Sequence, residues 1–591
     1  MLFTLLPGLG SAADLAVVPP GEVVSTAALV DEGILYAASY ETPGRAGHLR
    51  AFALYGSRQF RLWDAAEGIP LPGAALPPPV APNLAALAPQ FSGPAGERLI
   101  FTNLDAAHGF PLLTFHAQAA HALQPLLGAA DLAEAAALIN AVRGRSGTSA
   151  AVPGGSGDNP LLLGAISRSS PALVGSSPFA AGAFRDQVLY VGAEDGLLHA
   201  ILAGRWSSTA SGYDASTSGC GRELWAYLPG SLLPFLADAG GGPDGVVSPV
   251  HVDGSPAVSD LFFDSNGDGR REWRTVLVGT ASAPAANRGV VFALDVTDPG
   301  APRLLWETAL SEAGLGRSRG AAIGRGSEWS AVPPRIYLTA GTSTRVAGDG
   351  SIDPANGSFG VLACALELAD GTLRWRFAAP YPGPAASLAE PPSVPALMMA
   401  ASSGGVDGLV FGDLAGRLWS LDPDSGAPCG GGPLWQSPGG ADEPIGTALA
   451  VRNRLALFGT GGVETAADDR NYAVYAVEIL PAGARLLWTH PLERGEKLWG
   501  APTLDRFGRA FLGIGNDRAD LGRLLVVAAD GTPTGNVALG GAPHGGLVLT
   551  PGAVVTVSRS GQVEQVGELR QEPGGERASP GRVRVLTWRV R

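Results

Sequence analysis

Cysteine is nearly absent: Cys220, Cys364 and Cys429 are the three in 591 residues, and no Cys-x-x-Cys occurs. A disulfide framework, a zinc ribbon and a c-type haem attachment therefore have no support. Cys364 lies in the apolar run Val361-Leu-Ala-Cys-Ala-Leu366 and reads as a buried thiol. Charge is also sparse, at 16% of residues, and its balance is −13. An acidic chain repels phosphate backbones, which argues against nucleic acid as a partner. The one basic cluster, Arg582 to Arg591, alternates with apolar residues and reads as a strand. No apolar run is long enough to span a bilayer. The opening run Met1 to Leu6, followed by Ser11-Ala-Ala13, resembles the end of a secretory signal without its basic region. No Gly-x-Ser-x-Gly elbow is present, and Gly430-Gly431-Gly432 lacks the Lys-Ser/Thr of a phosphate loop.

What the chain does have is glycine (84), proline (48) and 46% hydrophobic residues. These glycines and prolines punctuate short apolar runs, the grammar of many turns joining short strands. A unit recurs: Gly-x-Leu-x-Ala, a turn, then Leu-Trp. It occurs at Gly47 to Ala51 leading to Trp63, Gly196 to Ala200 leading to Trp225, and Gly289 to Asp295 leading to Trp306. It returns at Gly360 to Ala365 leading to Trp375, Gly416 to Asp422 leading to Trp435, and Tyr472 to Val477 leading to Trp488. Gly522 to Val527 continues to Asp530-Gly531 without the Trp. Alternating runs broken at Gly/Asp turns are hairpins. Units of three or four strands at a spacing of roughly 50 to 70 residues predict an all-β fold, a quinoprotein-like β-propeller of about seven blades. A single blade cannot cover both its faces, so neighbours stack and the recurring Trp fills the gap between them.

The expected organisation has a segment 1–25 that holds the signal-like remnant, first propeller strands over 26–114, an insertion over 115–160, and the main propeller over 161–591. Within the insertion, Leu123, Leu126, Leu127, Leu132, Ala136, Ile139 and Val142 have helical spacing, and a Gly/Ser-rich loop follows. The terminal strand Arg582 to Trp588, after the polar stretch Gly567 to Gly581, is the candidate for closing the ring.

The most informative short segment is Asp264-Ser-Asn-Gly-Asp-Gly-Arg-Arg-Glu272. Oxygen-bearing side chains fall at Asp264, Asn266, Asp268 and Glu272, at alternate positions and then at the ninth. Calcium takes six to eight oxygen ligands, and a tight loop of alternating donors wraps them around one point. Gly269 stands where such a loop needs its sharp turn, and the carbonyl of Arg270 supplies a further oxygen. Position twelve is Thr275 rather than Glu, so the loop is expected between strands and not between helices. The plainer reading is an acidic surface turn, since Asp, Asn and Gly form turns without a metal.

Elsewhere the plainer readings lead. Asp195-Gly196 and Asp370-Gly371 are hairpin turns. Asp349, Asp353 and Asn356 have the wrong spacing for a metal, and Asp468, Asp469 and Asn471 read as a turn. His199 and His251 are isolated and read as structural. No catalytic residue or organic cofactor is expected, so the chain reads as a non-enzymatic protein.

Several segments in order resemble the C-terminal propeller of PilC/PilY-type pilus proteins. They begin with Gly164 to Pro171 and Tyr190 to Ala200, then Glu223 to Pro229, Val252 to Pro256 and Trp273 to Gly279. Ala293 to Pro299, Gly412 to Trp419, Phe458 to Gly461 and the final Arg584 to Arg589 continue the order. The chain departs from the family at Ala165, where an Asp is usual, and at Arg168, where a His is usual. The resemblance implies a calcium loop at Asp264 to Glu272, a place in type IV pilus biogenesis, export to the cell surface or fimbrium, and a position at the pilus tip. It also implies partners among the minor pilins and the assembly machinery, adhesion to host or abiotic surfaces, and calcium occupancy that biases extension against retraction. Many relatives carry a long von Willebrand A-like N-terminal region, and this chain begins almost at the propeller. Two alternatives stand beside it: a pyrroloquinoline-quinone-type dehydrogenase, whose usual adjacent cysteines are missing, and a generic envelope scaffold.

Overall fold

In the computed structural model, residues 22–566 are described apart from 43–45, 56–57, 70–97, 105–111, 145–162, 180–183, 210, 238–249, 287, 311–314, 326–332, 343–359, 381–390, 400–404, 462–469, 517–520 and 551–552. The signal-like segment, the closing strand at 582–588, and Asp349, Asp353, Asn356, Asp468 and Asp469 lie outside the described residues.

The described strands form eight successive sheets, mostly antiparallel and of three to seven strands. Blade 3 shows the plan: Ala257–Phe263, Glu272–Ala283, Arg288–Asp295 and Arg303–Ala309 pair in sequence order. Alternation sets its two faces. Val276 and Val278 turn toward blade 4, while Leu277 turns toward blade 2. Similar apolar seams join every neighbouring pair, ending with Phe511, Leu524 and Val554 between blades 7 and 8.

The ring closes on itself. Val24, Leu35, Ala37 and Phe52 of blade 1 pack against Val555, Val557 and Val563 of blade 8. Two backbone bonds cross the same seam, from Val24 N–H to the Arg559 carbonyl (2.9 Å) and from Ala28 N–H to the Gly545 carbonyl (2.8 Å). The fold is thus the all-β propeller that the repeat predicts, with eight sheets where about seven blades were expected. The eighth, Leu547–Thr550, Ala553–Val557 and Val563–Val566, carries neither the Gly-x-Leu-x-Ala run nor a tryptophan and so leaves no mark in the repeat.

The repeat has a physical basis at three of the joints. Trp225, Trp306 and Trp375, on the fourth strands of blades 2, 3 and 4, donate their indole N–H groups to the carbonyls of Pro299, Leu368 and Pro423. Each acceptor lies in the turn between the third and fourth strands of the next blade. A glycine in that turn lies on the indole: a Cβ on Gly371 would stand 2.5 Å from Trp306, and one on Gly426 would stand 2.4 Å from Trp375.

Two helices follow the first blade, α1 (Ala120–Leu127) and α2 (Leu132–Val142), the second capped by the Asp131 carboxylate on Glu134 N–H. Leu123, Leu127, Ala135 and Ile139 bury against Leu197, Ala226 and Leu228 of blade 2. A strand from this region, Ile100–Thr102, pairs in parallel with the outer strand Glu223–Leu228. Among the described residues no single helix is long and apolar enough to cross a membrane; α1 with its preceding turn and α2 approach that length only as a pair bent by 105°.

Candidate metal loop and buried charge nodes

The predicted loop joins the first and second strands of blade 3, where Phe263 pairs with Glu272. Its glycines explain its path: Gly267 and Gly269 have φ of 75° and 80°, a left-handed conformation that side-chain-bearing residues resist. Asp264 organises the turn. Its Oδ1 accepts the N–H of Gly267 at 2.8 Å and that of Asn266 at 3.3 Å, and its Oδ2 accepts the N–H of Gly269 at 2.8 Å. These bonds, Gly269 first, hold the Asp264 carboxyl below its ordinary range. Asn266 Nδ2 donates to Asp268 Oδ2 at 3.2 Å, and Asp268 Oδ1 accepts Arg270 N–H at 2.7 Å.

The structure thus brings Asp264, Asn266 and Asp268 into one hydrogen-bonded turn that is largely exposed from Asn266 to Arg271. Glu272 is engaged elsewhere. Its Oε1 accepts from Arg274 at 2.5 and 2.9 Å and from the Ser265 hydroxyl at 2.9 Å, and Arg274 holds its carboxyl below the usual range. The donor set of carboxylates, one amide oxygen and the Arg270 carbonyl fits a hard oxygen-seeking cation such as calcium. Arg274 is the competitor such an ion would have to displace from Glu272.

Two further charge nodes are buried, and the sequence reading missed both. In blade 2, Arg98 forms a two-pronged ion pair with Glu223 at 2.7 and 3.0 Å. His199 then sits between two carboxylates, with Nδ1 2.7 Å from Glu223 and Nε2 3.2 Å from Asp195. Burial alone would lower the imidazole, but Asp195 and Glu223 overcome it and push His199 up to about 9. Burial alone would raise Glu223, but Arg98 and His199 hold it down to about 2. Asp195 also accepts the N–H of Leu197, so this turn residue serves the node as well.

In blade 1, Arg50 binds Glu22 through both terminal nitrogens at 2.6 and 2.9 Å and binds Asp64 at 2.6 Å. His48 lies 2.9 Å from Asp64. Among the described residues, Glu22, Glu41 and His48 are the group whose ligand atoms all approach within 4.8 Å. The Arg50 guanidinium already neutralises Glu22 there, which disfavours a metal ion at the same carboxylate. The carboxylates of Asp264, Asp268 and Glu272 do not form such a group.

The three cysteines are free thiols, and burial pushes Cys364 up to about 12.

No protein-family profile matches the chain. Curated relatives do match. It is 34% identical over 212 residues to a type IV pilus biogenesis factor PilY1 homolog of Xylella fastidiosa, covering 32% of this chain and 15% of that protein. It is 35% identical over 170 residues to the type IV pilus biogenesis factor PilY1 of Pseudomonas aeruginosa, covering 26% of this chain and 12% of that protein. The matches therefore span about a seventh or less of the relatives' own length. Among solved structures, the computationally designed Ika8 protein aligns over 94% of this chain and 98% of its own, at 9% identity and a TM-score of 0.38, a likeness too low to carry an argument.

Proposed function

We propose that this chain, a PilY-family protein by the region it shares with those relatives, acts in type IV pilus biogenesis as a non-enzymatic, calcium-binding propeller. In this reading it is exported to the cell surface, sits at the pilus tip and contacts minor pilins and the assembly machinery. Calcium in the Asp264 loop biases pilus extension against retraction and supports adhesion to surfaces.

The observation that carries the calcium assignment is the Asp264 carboxylate closing on the Gly269 N–H at 2.8 Å. It ties the first donor position to the glycine that makes the sharp turn, and so presets the arc on which Asn266 and Asp268 stand. That turn offers the Asp264 and Asp268 carboxylates and the Asn266 amide oxygen to one divalent cation, with Glu272 joining them once Arg274 is displaced.

Calorimetric titration of the whole chain with calcium tests the site. One ion per chain, lost in Asp264→Ala, is the expected result. Absence of heat, together with one melting temperature in calcium and in chelator, overturns the metal assignment. The pilus role has a separate test in cells: deletion of the gene with unchanged pilus assembly and retraction overturns it. An Asp264→Ala strain that assembles pili and retracts them abnormally supports the calcium bias.

A further inference from the structure

We propose that residues Arg582 to Arg591 dock on the open outer edge of blade 8 as its fourth strand, with Trp588 seated on blade 1. The inference rests on neither the calcium loop nor the pilus assignment.

Blades 3 to 7 each run outward to a fourth strand, whereas blade 8 stops at a third, Val563–Val566. Among the described residues no strand pairs with the outer side of Val563–Val566. A bare edge presents backbone N–H and C=O groups to whatever strand can reach them. Beyond Val566 the sequence runs through the polar stretch Gly567 to Gly581 and on to Arg582. A connection of that length reaches an antiparallel neighbour with ease, because the entropy of loop closure grows only with the logarithm of loop length.

The other fourth strands show what such a strand is made of. In blades 1, 2, 3, 4 and 6 its tryptophan stands opposite a third-strand alanine, as Trp225 does opposite Ala200, and the residue just before the tryptophan is bulged out of register. A bulge moves every residue before it to the other side of the strand. With Thr587 as the bulged residue, Val583, Val585, Trp588 and Val590 fall on one side, and Arg582, Arg584, Leu586 and Arg589 fall on the other. Without a bulge, valines and arginines are divided between both sides. The segment separates its apolar from its basic residues only in the form that those five blades display.

Two described surfaces receive it. Ala200 lies four residues after the turn glycine Gly196, and the same count from Gly561 leads to Gln565, which is exposed. Trp588 opposite Gln565 sets Arg589 opposite Glu564. Glu564 is half-buried, accepts the Gly540 N–H and has no cation beside it among the described residues; burial raises its carboxyl above the ordinary range. A cross-strand arginine supplies the missing charge. The second surface lies on blade 1, which packs next to blade 8. At four other joints the fourth-strand tryptophan lies on a glycine between the third and fourth strands of the next blade: a Cβ on Gly221, Gly371, Gly426 or Gly531 would stand within 3.0 Å of it. In blade 1 the residues that join Gly47–Tyr55 to Arg58–Asp64 are Gly56 and Ser57, so a glycine stands at the same place for Trp588.

The test is hydrogen exchange of the whole chain, read by mass spectrometry. Amides of residues 582–591 should exchange about a hundredfold or more slower than those of an unstructured peptide of the same sequence. Trp588→Ala should speed exchange both there and in Val563–Val566. A second measurement reads the register even if that variant unfolds. In the double substitution Glu564→Cys with Arg589→Cys, a short bis-maleimide should join the two positions within one chain, whereas Glu564→Cys with Arg584→Cys should stay unjoined. Exchange of 582–591 at the unstructured rate overturns the inference, and equal joining of both pairs does the same. Protection of Val563–Val566 that is unchanged in Trp588→Ala overturns it too, since another segment would then cover the edge. A link that forms only between two chains assigns the strand to a second copy and overturns it equally.

Discussion

Trp306 and Gly371 form the joint between blades 3 and 4: the indole packs on the glycine, whose own Cβ would stand 2.5 Å from the ring. Gly371 also has φ of +71°, so two constraints meet in one residue. Gly371→Ala should lower stability by about 1–3 kcal/mol through overpacking in addition to backbone strain. Gly33→Ala is the matched control, with φ of +84° and nothing within 4 Å of the built Cβ. Chemical denaturation of both variants separates the terms. Equal losses would show that the indole contact contributes nothing.

Removing the indole N–H while keeping an aromatic ring tests the other half of that joint. In Trp306→Phe the Leu368 carbonyl, now 2.6 Å from the nitrogen, loses its donor. A loss of about 1–3 kcal/mol is expected for the buried acceptor, beyond the change in packed volume. The midpoint of urea unfolding measures it, and an unchanged midpoint would refute the assignment.

The His199 node makes stability depend on pH in a defined direction. Its folded value of about 9 stands above the 6.5 of a free imidazole. The stabilisation is therefore complete below the unfolded value and is lost as pH rises through the folded one. Melting temperature should fall between pH 6.5 and 9, and His199→Gln should flatten that fall. Glu223 has the opposite sense: held at about 2 against 4.5, it stabilises above the unfolded value and is lost as pH falls toward 2. Arg98→Met should cost about 3–5 kcal/mol by leaving Glu223 short of its main cation.

Arg274 holds Glu272 out of the loop. Arg274→Gln frees the carboxylate and removes a competing cation, so calcium affinity should rise severalfold. Asp264→Asn should lower it, since the amide loses charge at the position that anchors the turn. Calcium titration reads both variants. A weaker site in Arg274→Gln would mean that the arginine organises the loop and does not compete with the ion.

The fold was legible where the chain repeats itself. Each recurring unit marked a blade, and at the joints of Trp225, Trp306 and Trp375 the packing needs an indole at that spacing. Blade 8 was hidden because its partner surface on blade 1 is built from valines and alanines such as Val24, Ala37, Val555 and Val557, which carry no distinctive signal. The Asp264 loop was visible because all its donors lie within nine residues. The His199 node was not, since Arg98 stands 125 residues before Glu223. A hint was present in retrospect: His199 interrupts the apolar strand Leu198–Ser207, and a polar group so placed is seldom left without partners.

The seam between blades 1 and 8 consists of an apolar patch and two backbone hydrogen bonds. Every other joint is spanned by the continuous chain; among the described residues this one has no covalent continuity. Tension applied between Glu22 and Val566 is therefore borne there first, and the ring parts like a clasp while its other seven joints stay shut. A molecule so made gives way at one known place when pulled, and among the described residues the strength of that place is set by one apolar patch and two backbone hydrogen bonds.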